Sequence, residues 1–470
     1  MNVLELFEQS TSRIVLPDGT STAAAEIARR GRELAGHWLS NGLTVGDRVA
    51  VWMPNGATYL EALAGCAAGR LVVVSVNTRF SAEEAQALIV RSGTKLVVDA
   101  SWRRPQGGAP GPSPGGSAMA DDPFVVFTTS GTTSRPKLVL HTQGSIAKHG
   151  HDTAGAFGYT ADDVALIAMP FCGTFGLSGL TAALAANSTI VLEEHFDAVA
   201  TAELIVRHGV TVVNGSDDMY HRLLSAGADL SSIRIGGYAR FNSSLEGIVE
   251  RGERVGARLT GLYGMSEVQA LFAIRDPSGN PSERALAGGT MASAQASFRI
   301  EAGELWLRGP SMFAGYLADG GAAIDTQLTE SAFSDGWFRT GDVAEGPAAS
   351  DDTNRTFTYV TRMGDALRLG GFLVSPADVE QRILEVSGVT QALVVAVDLP
   401  TGARPVAFVV APDGVDEADV IAHCATRLAR YKVPVRVIVL EEFPTTPSAN
   451  GNKIQNAKLR EMAKALLTSG

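Results

Sequence analysis

Residues 71–99, LVVVSVNTRFSAEEAQALIVRSGTKLVVD, set the class of the fold. Two β-rich runs, 71–76 and 95–99, read as short strands. Between them Ser81 and Glu84 stand at capping-box spacing, which opens a helix at the following residue. The same texture extends upstream to RVAVWM at 48–53 and downstream to further strands at 124–128, 164–169, 189–192 and 210–214. Strands that alternate with helices predict layered, mostly parallel sheets covered on both faces, an α/β fold.

Composition narrows the function classes. With 45% hydrophobic and 19% charged residues over 470 positions, the chain can bury several cores and is not disordered. Its net charge of −11 argues against a nucleic-acid partner or an anionic membrane surface, while leaving room for local phosphate sites. Cys66, Cys172 and Cys424 are far apart and form no CxxC, so they read as reduced, packed thiols of a cytosolic protein. The first ten residues, MNVLELFEQS, carry Glu5 and Glu8 where a secretory leader would carry basic residues, and a cytoplasmic location is expected. Residues 164–192 hold no charge and are long enough to span a bilayer. Pro170, Gly173, Gly176, Gly179 and Asn187 interrupt that run, which therefore reads as strand, glycine-rich loop, helix and strand, with no stable membrane insertion.

Residues 103–121 are rich in glycine and proline and read as a loop. Near Arg362 the texture changes. Ser375-Pro376 is a helix start, an N-cap followed by proline at the first helical position. Strands at 391–397 and 406–410 and a helix at 417–429 complete a small α+β unit. The expected division is a large N-terminal α/β region, 1–362, and a small C-terminal domain, 363–470.

The chemistry begins at residues 127–137, FTTSGTTSRPK. Backbone amides and six hydroxyl side chains make a donor-rich loop able to wrap phosphate oxygens, and Lys137 can neutralise charge. It is not a Walker loop, because Pro136 stands where glycine must precede the lysine. Four further stretches follow in order: GLYGMSE at 261–267, WFRTGD at 337–342, RMGDALRLGG at 362–371, and PTTPSANGNKIQNAKLR at 444–460.

Together these five resemble the ordered motifs of the adenylate-forming superfamily, which includes acyl-CoA synthetases, carrier-protein adenylation domains and luciferases. The first resembles TSGTTGxPKG, with Ser134 and Leu138 where glycines are common. The others resemble YGxTE with Ser266 for threonine, [YW]xRTGD, GRxxDxIKxGG with Thr361 for its leading glycine, and PxTxxGKxxxxxLR. The resemblance implies an AMP-forming acid–thiol ligase. A carboxylate attacks the α-phosphorus of ATP to give an acyl-adenylate and pyrophosphate, and a thiol of CoA or of a phosphopantetheinyl carrier protein then displaces AMP.

The same resemblance assigns expected roles. Thr129, Ser130, Gly131, Thr132, Thr133 and Lys137 hold the β- and γ-phosphates. Glu267 binds Mg2+, Ser266 donates to the α-phosphate, and Tyr263 stacks on adenine, flanked by Gly264 and Met265. Asp342 accepts from both ribose hydroxyls, since one carboxylate can take two hydrogen bonds, and Arg362 adds a ribose or phosphate contact. Lys453 is the catalytic cation of the adenylation step. Gly364 is the hinge about which the small domain swings between the two half-reactions.

The acid is less legible. MPFCGTFG at 169–176 resembles PLFHxxG with Gly173 in place of the histidine, which opens the acyl pocket or is simple tolerance at a loop position. In VNGSDDM at 213–219, Asp217 or Asp218 holds an ammonium group of the substrate, or Ser216 or Asp217 caps the helix at 219–225. The stretch from Gly237 is expected to approach the acyl-phosphate. Three readings stay open: a ligase for a hydrophobic or aryl acid; the same adenylation with an amino acid, or with an amine or nitrite as acceptor; and a non-catalytic nucleotide-binding relative. Glu267, Asp342 and Lys453 are all present, which weighs against the last.

Overall fold

The computed structural model describes residues 1–105, 117–129, 136–241, 245, 247–321, 323–351, 354–363, 367–369, 372–374, 376–399, 402–448 and 451–468. The deciding stretch forms a strand Val72–Ser75, a helix Ala82–Arg91 and a strand Thr94–Val98. Ser81 caps the helix with both halves of the capping box: Glu84 N–H donates to Ser81 Oγ at 3.2 Å, and Ser81 N–H to Glu84 Oε2 at 2.8 Å. Arg48–Val51 lies between those two strands and is parallel to both. Pro123–Thr128 joins parallel to Val72–Ser75, and Leu138–Thr142 and Gly315–Tyr316 close this six-stranded sheet in antiparallel fashion.

A larger sheet of 14 strands among the described residues has two characters. Its central strands, Thr189–Leu192, Val164–Ile167, Val212–Ser216, Ile235–Ala239 and Leu259–Met265, run parallel. From Leu259–Met265 outward every pair is antiparallel, beginning with Gln269–Ile274 and reaching Trp337–Glu345 and Thr356–Arg362. The α/β class stands. The antiparallel wing within 262–362 was not divided into strands at the sequence level, because its motifs are short and separated by turns.

The uncharged run 164–192 becomes strand Val164–Ile167, helix Thr174–Ala185 and strand Thr189–Leu192, as its breakers indicate. Among the described residues no helix is long and apolar enough to cross a membrane. The helix starts where it does because Gly176 allows close approach: a Cβ there would lie 2.3 Å from Met169 O. Some boundaries shift. The strand expected at 210–214 is Val212–Ser216, and the helix expected at 417–429 ends as Glu417–Ala425.

In the C-terminal part, Gln391–Leu399, Gly402–Val410 and Arg436–Leu440 form a three-stranded sheet. Ala392 and Val394 face one apolar cluster with Val379 and Ile383, while Leu393 and Val395 face another with Leu459 and Ala463. Burial on both faces explains why QALVVAV reads as a continuous apolar run. The apolar clusters of residues 3–359 and those of 367–467 share no residue. All three cysteines are buried; burial pushes the Cys172 thiol up to about 12 and the Cys424 thiol to about 11.

Candidate active site

The donor-rich loop joins two antiparallel strands, Pro123–Thr128 and Leu138–Thr142. Its ends are tied together. Thr129 N–H donates to Lys137 O at 3.1 Å, and Lys137 N–H to Thr129 Oγ1 at 3.1 Å. Arg91 holds the Pro136 carbonyl with two N–H bonds of 3.2 Å. Ser130, Gly131, Thr132 and Thr133 lie outside the described residues.

Lys137 Nζ sits 4.4 Å over the ring centroid of Tyr316 and 3.4 Å from its hydroxyl. That hydroxyl donates to Glu267 Oε1 at 2.9 Å. Glu267 occupies the turn between Leu259–Met265 and Gln269–Ile274, and only 5% of it is exposed. Burial raises its carboxyl above the ordinary range, against the Tyr316 hydrogen bond and the nearby cations Lys137 and Arg362. A buried carboxylate short of compensating charge fits a hard divalent cation bound through one carboxylate, substrate phosphates and water. Among the described residues no cluster of three or more His, Cys, Asp or Glu is placed to hold a metal ion.

Asp342 is the second centre, 3% exposed on Trp337–Glu345. Strand register sets Arg362 opposite it. Arg362 donates to Asp342 Oδ1 at 2.7 Å, and the Tyr263 hydroxyl to Oδ2 at 2.7 Å. Burial raises this carboxyl also, with Arg362 and the Tyr263 hydrogen bond opposing. Each oxygen has two lone-pair sites, so one on each remains for a ribose hydroxyl.

Tyr263 is enclosed near the end of strand Leu259–Met265. Its ring packs against Phe357 at 5.1 Å and Tyr359 at 5.9 Å, leaving 6% of the residue exposed. Its hydroxyl points to Asp342. Gly264 is exposed, while Met265 and Ser266 are half-buried at the same strand end.

The sequence reading missed three residues here. Tyr316 bridges Lys137 and Glu267. His141, fully buried, donates from Nε2 to Ser266 O at 2.7 Å, and burial pushes it down to about 4. Gln269 donates from Nε2 to Ser145 O at 3.0 Å and Ser311 O at 3.3 Å. Gln269 and Leu271 both hold positive φ, +68° and +62°, conformations that non-glycine residues keep only where surroundings over-determine them. A lone Tyr, His or Gln among apolar neighbours reads as core, and no local signal marked these three.

Of the acid-side residues, Asp217 is buried at the start of helix Asp217–Ser225. Its Oδ1 accepts from Asp218 N–H and its Oδ2 from Phe241 N–H, both at 2.9 Å. Asp218 is exposed. Ser216 is the helix cap, accepting from Met219 N–H at 3.1 Å, which is the alternative the sequence left open. Gly173 is the N-cap of Thr174–Ala185 with φ −114°, a backbone any residue adopts, so the fold does not itself demand glycine there. Gly237 lies buried in Ile235–Ala239. Lys453 pairs with Thr446 in a two-stranded ribbon; its side chain and Gly364 lie outside the described residues.

The AMP-binding enzyme family matches residues 7–317, and the AMP-binding enzyme C-terminal domain matches 378–450. A 3-[(3aS,4S,7aS)-7a-methyl-1,5-dioxo-octahydro-1H-inden-4-yl]propanoyl:CoA ligase of Mycobacterium tuberculosis is 30% identical, over 98% of this chain and 100% of its own. A feruloyl-CoA synthase of an Amycolatopsis species is 30% identical over 92% of each chain. The crystal structure of ATP-bound MatB from Rhodopseudomonas palustris superposes with a TM-score of 0.85 at 24% identity, covering 99% of this chain and 100% of that one. Five ordered motifs, two family matches and full-length relatives converge: the chain belongs to the AMP-binding enzyme family and is an adenylate-forming, AMP-forming acid–thiol ligase.

Proposed function

We propose that this enzyme activates a carboxylic acid with Mg-ATP at the end of strand Leu259–Met265 and passes the acyl group to the thiol of CoA. The observation that carries the reading is the convergence of Lys137, Tyr316 and Glu267 with Tyr263, Asp342 and Arg362 around one strand end. Lys137 and the loop from Thr129 screen the β- and γ-phosphates, so that an anionic nucleophile can approach a polyanion. Glu267 would hold a divalent cation, which would supply charge neutralisation to the phosphates. Asp342, shaped by Tyr263 and Arg362, accepts the ribose hydroxyls and fixes the nucleotide. Ser266 donates to the α-phosphate from a turn that His141 holds. Lys453 approaches on the small unit, residues 363–470, and stabilises charge that develops at the α-phosphate. Gly364 is the point about which that unit turns to admit the thiol.

The relatives named above are ligases for a dioxo-octahydroindenyl propanoate and for ferulate, both acids with a ring and a polar substituent. An acid of that class suits Gly173, a position with no side chain where the family pattern carries a histidine. The test is pyrophosphate release across a panel of aryl and alicyclic acids, with CoA, a phosphopantetheinyl carrier protein or no acceptor added, and the product read by mass spectrometry. Acid-dependent pyrophosphate release with an acyl-CoA product is the expected result. Product only with the carrier protein would move the acceptor, and no release with any acid would overturn the reading.

A further inference from the structure

Helix Ala82–Arg91 ends on a residue that touches both segments carrying the Lys137–Tyr316 pair. Its Leu88 and Ile89 are buried in one apolar cluster with Leu138, Leu140 and Leu317, so its last turn packs against residues adjoining Lys137 and Tyr316. From that fixed base the Arg91 guanidinium reaches two ways. Nη1 and Nη2 each donate to Pro136 O at 3.2 Å, and Nε donates to Asp319 Oδ1 at 3.0 Å.

The backbone at this corner is fitted as closely. Gly320 N–H donates to Arg91 O at 2.7 Å, which satisfies a carbonyl of the helix end. Gly321 holds φ +68°, and a Cβ on it would lie 1.9 Å from Ser92 O. A Cβ on Gly93, φ +64°, would lie 2.1 Å from Gly320 O. The turns at 91–93 and 319–321 touch because glycine stands on both sides.

Strand pairing shows what the corner holds. Gly315–Tyr316 runs antiparallel to Leu138–Thr142 in the register Tyr316↔Val139, and Leu317 N–H donates to Leu138 O at 2.8 Å. Just before Leu138 stand Pro136 and Lys137, and proline has no N–H with which to extend the ladder. Arg91 supplies donors in its place, gripping Pro136 O on one side and Asp319, beyond the partner strand, on the other. Its guanidinium is a rigid planar fork, so the two grips are kept at one separation. Lys137 thus leaves the backbone between Pro136, held by Arg91, and Leu138, held by Leu317.

We propose that Arg91 is a positioning residue for ATP: by gripping Pro136 and Asp319 it sets Lys137 over Tyr316, 4.4 Å from the ring centroid, and so aims the ammonium at the β- and γ-phosphates. The inference rests on the ligase reading above and adds to it a residue that itself touches no substrate. A lysine side chain loses much rotamer freedom when it is fixed, and a base set in advance lowers that cost at the moment of binding.

The experiment is calorimetric binding of Mg-ATP and of AMP to the full-length enzyme and its variants. AMP lacks the phosphates that Lys137 meets, so a change in the ratio of the two affinities reports on Lys137, whereas a general loosening of the site weakens both nucleotides. Arg91→Ala should weaken Mg-ATP by about 5-fold or more, the scale of one lost hydrogen-bonded contact, and leave AMP at its wild-type affinity. Asp319→Ala, which frees the other end of the fork, should shift the ratio in the same direction. In a Lys137→Ala background Arg91→Ala should cost little further, because its effect passes through the missing ammonium. Equal weakening of ATP and AMP, a ratio unmoved by either variant, or an undiminished loss in the Lys137→Ala background overturns the proposal and leaves the ligase reading standing. A wild-type enzyme that binds no Mg-ATP overturns the ligase reading and the proposal with it.

Discussion

At the scale of single residues, Tyr316 does most to define the site although no motif of the sequence reading contains it. One hydroxyl spans a lysine and a carboxylate that are 130 positions apart in the chain, Lys137 and Glu267, while the ring gives Lys137 a cation–π surface. Hydrogen bonds to charged groups contribute about 1.5–3 kcal/mol. Tyr316→Phe removes the donor and keeps the ring, and Glu267, already raised by burial, loses the contact that opposes that rise. The Mg2+ concentration for half-maximal pyrophosphate release should therefore increase about 10-fold or more on that energy scale, and Mg2+-dependent ATP binding by calorimetry should weaken in parallel. A variant that only lowers the thermal midpoint, with its Mg2+ dependence unchanged, would show that Tyr316 packs rather than positions. The pair Asp342–Arg362 gives a second expectation. Arg362→Ala leaves a buried carboxylate without its cation, which is more damaging than loss of an exposed ion pair. ATP affinity should fall clearly, and Arg362→Lys, which cannot reproduce the planar fork, should restore it only in part; full recovery by lysine would mean that charge alone suffices.

At the scale of elements, the turn carrying Glu267 is stapled to helix Gln143–Ala156 and the strand before it. His141 reaches Ser266 O, His149 reaches Ala270 O at 2.6 Å, and Gln269 reaches back to Ser145 O. Both imidazoles are fully enclosed, and burial pushes each down to about 4. In the unfolded chain they titrate near 6.5, so between about 6.5 and 4 the unfolded state binds protons that the folded state does not. Stability must then rise with pH across that window and fall as pH drops through it, by up to about 1.4 kcal/mol per pH unit for each histidine. Urea unfolding at pH 7 and pH 5 should give a lower midpoint at pH 5, and His149→Asn should flatten the difference; an unchanged slope would place the acid sensitivity elsewhere. The staple also explains what the sequence could and could not reveal. Strand–helix alternation and the Ser81–Glu84 box follow from spacing, so the parallel core was legible. The motif residues Lys137, Glu267, Asp342 and Arg362 were legible because each sits inside a dense local pattern. Tyr316, His141 and Gln269 act across separations of 49 to 125 residues, and such contacts leave no periodic mark in the chain. The enclosure of Tyr263 left no mark either: its neighbours Phe357 and Tyr359 come from a strand nearly a hundred positions away.

For the whole molecule, the proposed division is between residues 1–362 and residues 363–470. Apolar side chains of 367–467 pack with one another around the three-stranded sheet, as a unit that turns as a body requires. In the proposed reading, the residues that hold the nucleotide, from Thr129 to Arg362, belong to the larger part, whereas Lys453 lies in the ribbon Thr445–Ser448/Gly451–Ile454 of the smaller. An enzyme that uses one acyl site for two successive reactions needs a cation at the α-phosphate in the first, and in the second it needs that space for a thiol. Placing the lysine on a unit that turns would answer both needs. Lys453→Ala should slow acyl-adenylate formation by about 10²-fold or more, the scale of one lost transition-state donor. It should leave thiolysis of a chemically prepared acyl-adenylate close to the wild-type rate. The two half-reactions are separable in a quenched-flow experiment that follows pyrophosphate release in one arm and acyl-CoA from supplied adenylate in the other. Equal losses in both arms would mean that Lys453 serves a single fixed site, and the exchange of faces by the small unit would have to be abandoned.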